Sequence, residues 1–154
     1  MSDATTDAAP AAGAATQITT SCTTGWLDWV HGELWLCPDG LLRRSLGLQE
    51  TVKHGVASNR PKFDLDNRPT RAFTSDEIQQ ALASGPTNRW ITWPEIDRAT
   101  LKIGIVDHSL HIELFNGDRP KFLWLRAHGG FDLLEKELAR VLAGRLRIVR
   151  RPIG

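Results

Sequence analysis

The chain has no tyrosine, one methionine and two cysteines, and its 19 basic residues are nearly balanced by 18 acidic ones, leaving a formal charge of +1. Two cysteines cannot build a disulfide scaffold, so Cys22 and Cys37 are read as free thiols of a reducing compartment. A charge this small sets up no long-range field to gather nucleic acid, and none is expected as a partner. No apolar run approaches the roughly 20 residues of a membrane span. The N-terminus also lacks the basic start and apolar core of a signal peptide, and a cytoplasmic location is expected.

Motifs for chemistry are equally scarce. There is no Gly-x-Ser-x-Gly elbow, phosphate-binding glycine loop or paired-cysteine motif. His108 and His111 stand three apart in an expected strand, so they point to opposite faces and cannot share a metal. His31, His54 and His128 fall at loop or strand ends far apart in sequence; only convergence in one pocket would make them a small hydrolase-type site. The expectation is therefore no catalytic residue, no metal and no cofactor. Gly129-Gly130, ahead of a helix, is a weak candidate for anion contact through helix-terminal amides, against the simpler reading of a flexible turn.

What is present is pattern. Residues 1–24 are almost wholly Ala, Thr, Ser, Asp, Gly and Pro, and read as a disordered tail. A single domain is expected over 25–149, with a basic tail at 150–154. Glu33 to Cys37, Pro38-Asp39-Gly40 and Leu41 to Leu46 read as a hairpin, with a third strand at Glu50 to Val56 and a long polar loop from Ala57 to Ala72. Thr74 and Glu77 form a capping box, Phe73 and Ile78 a hydrophobic staple, and Gly85-Pro86 a stop, so Ser75 to Ala83 is expected to be a short helix across an open end of the sheet. Four apolar runs follow, Asn88 to Trp93, Ala99 to Val106, Ser109 to Phe115 and Pro120 to Leu125, each read as a strand. The period then changes once. Phe131, Leu134, Leu138, Val141 and Leu142 form one stripe of a C-terminal helix, with Gly144 expected to end it. Beyond it, Arg145 to Arg151 alternates with Leu146, Ile148 and Val149, as a last strand or a frayed tail. The fold class is α+β, mainly β: a bent antiparallel sheet or partly open barrel capped by a C-terminal helix, with a short inserted helix.

The Gly32-Glu33-Leu34-Trp35-Leu36 hairpin, the strand entered through Ile91-Thr92-Trp93-Pro94-Glu95-Ile96, the strands around Asn116-Gly117-Asp118 and the final helix together resemble the bacterial pleckstrin-homology-like group, which includes GRAM-like domains. The resemblance spans about Gly25 to Ala143 and implies a bent sheet or open barrel with the helix plugging one end. The tight Pro38-Asp39-Gly40 turn departs from the longer basic loop of phosphoinositide-binding members and speaks against that ligand by that route.

The sequence-level expectation is a non-catalytic module that binds a protein partner or forms a homo-oligomer. Its candidate binding residues are Trp26 and Trp29, of six tryptophans the two that precede the first expected strand, with Arg43, Lys53, His54, Arg60 and Lys62. Lys53, Arg60 and Lys62, with the terminal arginines, also support an alternative, peripheral binding to anionic lipid.

Overall fold

The computed structural model describes residues 14–24, 31–45 and 65–150. Among the described residues the fold is mainly β, with two sheets, two α-helices and no closed barrel. The larger sheet contains β1 (Ala15–Cys22), β2 (Gly32–Cys37), β3 (Gly40–Ser45), β4 (Thr70–Arg71) and β5 (Arg89–Thr92) in the order β4-β1-β2-β3-β5, all antiparallel. The smaller contains β6 (Ile96–Ile103), β7 (Asp107–Leu114), β8 (Lys121–Leu125) and β9 (Leu146–Arg150) in the order β8-β7-β6-β9. The β2–β3 hairpin closes where the sequence places it. Gly40 is required there, since a Cβ would meet the Ile91 carbonyl oxygen at 2.1 Å.

The larger sheet is apolar on both faces, and alternation along each strand divides its side chains between two cores. Leu34, Leu41 and Ile91 face the smaller sheet, while Trp35, Leu42 and Trp90 face the opposite way. The first face meets Leu101, Leu110, Ile112, Phe122 and Trp124, along with Phe131, Leu134, Leu138 and Leu142 of helix α2 (Phe131–Leu142). The second is covered by Phe73 and by Ala81 and Ile78 of helix α1 (Ser75–Ala83). Helix α1 starts on the expected capping box, with Glu77 N donating to Thr74 Oγ1 at 3.1 Å and Thr74 N to Glu77 Oε1 at 2.9 Å. It lies on the outer face of the sheet rather than across an open end, because that face carries an apolar surface of its own.

Two connections join the sheets. On one side the chain passes directly from β5 through the Trp93-Pro94-Glu95 turn into β6. On the other, Thr23 and Leu123 exchange a pair of backbone hydrogen bonds of 2.9 Å each, linking the end of β1 to β8.

The structure corrects the expected domain boundary. Ala15–Cys22, assigned above to a disordered tail, is a strand between β2 and β4, with Ile18, Thr19 and Cys22 fully buried. Its Ala, Thr and Ser side chains suit the close approach of neighbours on both faces, whereas composition alone reads them as tail. The expected strand at Glu50 to Val56 lies outside the described residues. At the other end, Leu146–Arg150 is a strand, and it pairs with β6 in parallel, Ala99 opposite Leu146 through Ile103 opposite Arg150.

Helix α2 ends on Ala143, which has φ 53° and ψ −122°, one residue before the glycine expected to serve as its stop. A Cβ is strained there, so Ala143→Gly is expected to stabilise the protein by about 0.5–1 kcal/mol. Chemical denaturation of the two proteins checks the sign.

Candidate functional site

Helix α2 begins differently from α1. Its N-cap is Gly130, with φ 82° and no side chain to accept from the first turn, and its first intrahelical bond runs from Leu134 N to Gly130 O at 3.1 Å. Gly130 also has to be small, since a Cβ would lie 2.6 Å from Ile18 Cγ2. The preceding turn is built by Trp124, whose indole N–H donates to Gly129 O at 2.9 Å, and by Arg68, which donates to the carbonyls of Ile18 at 2.8 Å and His128 at 2.7 Å. His128 Nδ1 lies 2.6 Å from Thr19 Oγ1. Small residues on β1 and the Gly129-Gly130 turn thus place the amino end of α2 at the rim of the core.

Beside that helix end is a cleft of about 680 Å³ lined by Ile103, His108, Arg126, Phe131 and Leu133, with Leu65 at its mouth. His108 is 3% exposed, and its ring packs on Trp124 and Phe131 with centroids 5.6 and 5.2 Å away. Its Nδ1 is sealed from solvent and has no hydrogen-bond partner among the described residues. Burial, and next the nearby Arg126 charge, hold the ring below the ordinary histidine pKa; Asp107 and Asp132 oppose them. The neutral imidazole is therefore the favoured form in the native protein. Close by, Ile105 and Val106 at the β6–β7 turn are 77% and 67% exposed and adjoin the exposed Leu125, opposite Asp107 in the β7–β8 pairing.

A second accessible feature is the outer edge of β9. Among the described residues nothing pairs with it. Leu146 and Ile148 pack against the core, whereas Arg147 and Arg150 are exposed. Arg150 is engaged by Glu135 at 3.1 Å and stands over the Phe131 ring. Arg145 donates to the carbonyls of Ile96 and Asp97. Arg147 makes no ion pair among the described residues.

The candidate residues of the sequence reading are not brought together. Trp26, Trp29, Lys53, His54, Arg60 and Lys62 lie outside the described residues. Arg43 does not belong to a binding surface: it is fully buried, donating to Cys22 O at 3.0 Å and to the Thr87 hydroxyl. Its position in β3 faces inward, so the guanidinium serves the seam between β1 and β5. Among the tryptophans, Trp35 and Trp124 are core residues, and the Trp93 indole N–H donates to Pro38 O at 2.8 Å. His31 is exposed, and His111 stands on the face of β7 opposite His108. No group of three metal-ligating side chains occurs among the described residues. Cys22 and Cys37 are buried and stand in no disulfide, and burial, reinforced by Asp39, pushes the Cys37 thiol up to about 12. No helix among the described residues is long and apolar enough to cross a membrane.

The sequence reading missed His108 as a site residue, although its parity with Leu110, Ile112 and Leu114 carried the signal.

The low pKa of His108 has a stability consequence. The unfolded ring takes up a proton near pH 6.5, where the native ring remains neutral, so stability falls as the pH drops below about 6.5. His111, also lowered, chiefly by burial, adds in the same direction. Replacing His108 by Phe is expected to flatten part of that slope, measured as the difference in unfolding free energy between pH 7.5 and pH 5.5.

Compared with known proteins, the sequence matches no protein-family model and no curated protein.

Proposed function

We propose that the chain is a non-catalytic, pleckstrin-homology-like binding module of the bacterial type that recruits a protein partner in a reducing, cytoplasmic setting. The observation that carries this reading is the outer edge of β9, with which nothing among the described residues pairs, so that alternate backbone N–H and C=O groups are available to an added strand. Support for the family likeness comes from the hairpin, the β6–β8 meander and the apolar face of α2. The parallel β9 after that helix is an addition of this chain. Support for the compartment comes from the buried thiols, which stand in no disulfide.

The chemistry of the edge selects the occupant. Arg147 is exposed and makes no ion pair among the described residues, while Arg150, at the end of the same strand, is held by Glu135. In the fully overlapped antiparallel register of a second copy, Arg147 would stand opposite Val149 and gain no acidic partner. An extended acidic segment of another protein would satisfy both the backbone groups and the charge.

The test is fluorescence anisotropy of the full chain with a synthetic peptide of alternating Val and Glu, against its Val/Lys counterpart. Saturable binding of the acidic peptide, weakened about tenfold or more by Arg147→Glu, is expected; tenfold is 1.4 kcal/mol. Equal binding of both peptides, or of neither, would overturn the reading. Capture by anionic vesicles at low salt without peptide binding would favour the lipid alternative instead.

A further inference from the structure

We propose that the cleft at the amino end of α2 is a ligand site for a small organic monoanion, a carboxylate carried on an apolar chain. This is independent of the β9 edge and stands or falls separately.

Three observations converge on it. The first is the uncapped helix terminus. A helix of 12 residues leaves its first amides without intrahelical acceptors, and Gly130 supplies no side chain to meet them. In α1 the corresponding groups are satisfied by Thr74 and Glu77. The second is His108, 97% removed from solvent and lining the same cleft, with no hydrogen bond to its ring among the described residues. The ring therefore has donor capacity that no described residue uses, and an acceptor in the cleft would engage it. With Nδ1 sealed, the neutral ring places its proton on Nε2, the nitrogen left open, and donates from there.

The third observation is the balance of charge and apolar surface. Arg68 and Arg126 line the cleft, but so do Asp66 and Asp132, and the four sum to zero. Arg68 already donates to backbone carbonyls, and Arg126 to Gly104 O at 3.1 Å. A phosphate dianion would face two carboxylates without a surplus of cations. A single carboxylate requires only the helix amides and the imidazole donor. The remaining wall is apolar: Ile103 and Phe131 inside, with Leu65 and Leu133 exposed by 50% and 40% at the mouth. Exposed leucines flanking a cleft suit the body of an amphipathic ligand. The volume of about 680 Å³ lies within the range of small-molecule sites.

The experiment is an NMR titration of the full chain with octanoate, in parallel with inorganic phosphate. Saturable shifts confined to the His108 ring and the amides of Phe131 to Leu133 are expected at millimolar octanoate, with none from phosphate. Leu133→Glu, at an exposed position, should weaken octanoate binding about tenfold or more with no change in Tm, because it sets a carboxylate at the mouth. His108→Phe should also weaken octanoate binding, by removing the donor while keeping a ring. Absence of a saturable shift, equal binding of phosphate, or octanoate binding unchanged by Leu133→Glu would overturn the proposal.

Discussion

The structure depends on one constraint: the larger sheet is apolar on both faces, so neither can be left to water. A one-faced sheet needs a single covering layer. Here Trp35, Cys37 and Leu42 turn one way while Leu34 and Leu41 turn the other, and two separate cores result. Covering the first face takes the smaller sheet and α2; covering the second takes α1 and Phe73. At roughly 25 cal/mol per Å² of apolar surface, leaving either face exposed would forfeit more than the net stability of a typical domain. Arg43 belongs to the same logic. It is a cation inside a sheet seam, tolerated because its donors reach Cys22 O, Thr87 and Asn88.

The elements that could be read from sequence are those whose signals are local. The Pro38-Asp39-Gly40 turn, the capping box at Thr74 and Glu77, the alternation within each of β6, β7 and β8 and the stripe of α2 each lie within a dozen residues. The failures are long-range. Strand β1 is polar by composition, and its burial rests on pairing with Leu36 some twenty residues on and with Leu123 a hundred residues on. Arg43 defeats the rule that arginines are exposed, because the acceptors that satisfy it come from β1 and the approach to β5. His108 was legible in parity. Its meaning was not, since the cleft exists only when β1, β6, β7 and the amino end of α2 meet.

Those long-range pairings also place the accessible chemistry. Strand β1 and the Gly129-Gly130 turn hold the start of α2 at the rim of the core, and the chain leaving α2 returns as β9 beside β6. The same helix therefore presents an amino terminus without a side-chain cap at one end and leads at the other into β9, whose outer edge no described residue pairs. Arg147, exposed on β9, is the charge that the proposed acidic strand would meet.

The central claim, that the outer edge of β9 is open, is tested most directly by amide hydrogen exchange of Leu146 to Arg150 in the free full-length protein. The account predicts alternation: amides directed at β6 exchange slowly, close to the rate set by global unfolding, and those directed outward exchange at nearly unprotected rates. Uniformly slow exchange along the strand would mean that the edge is already covered, and would contradict the account.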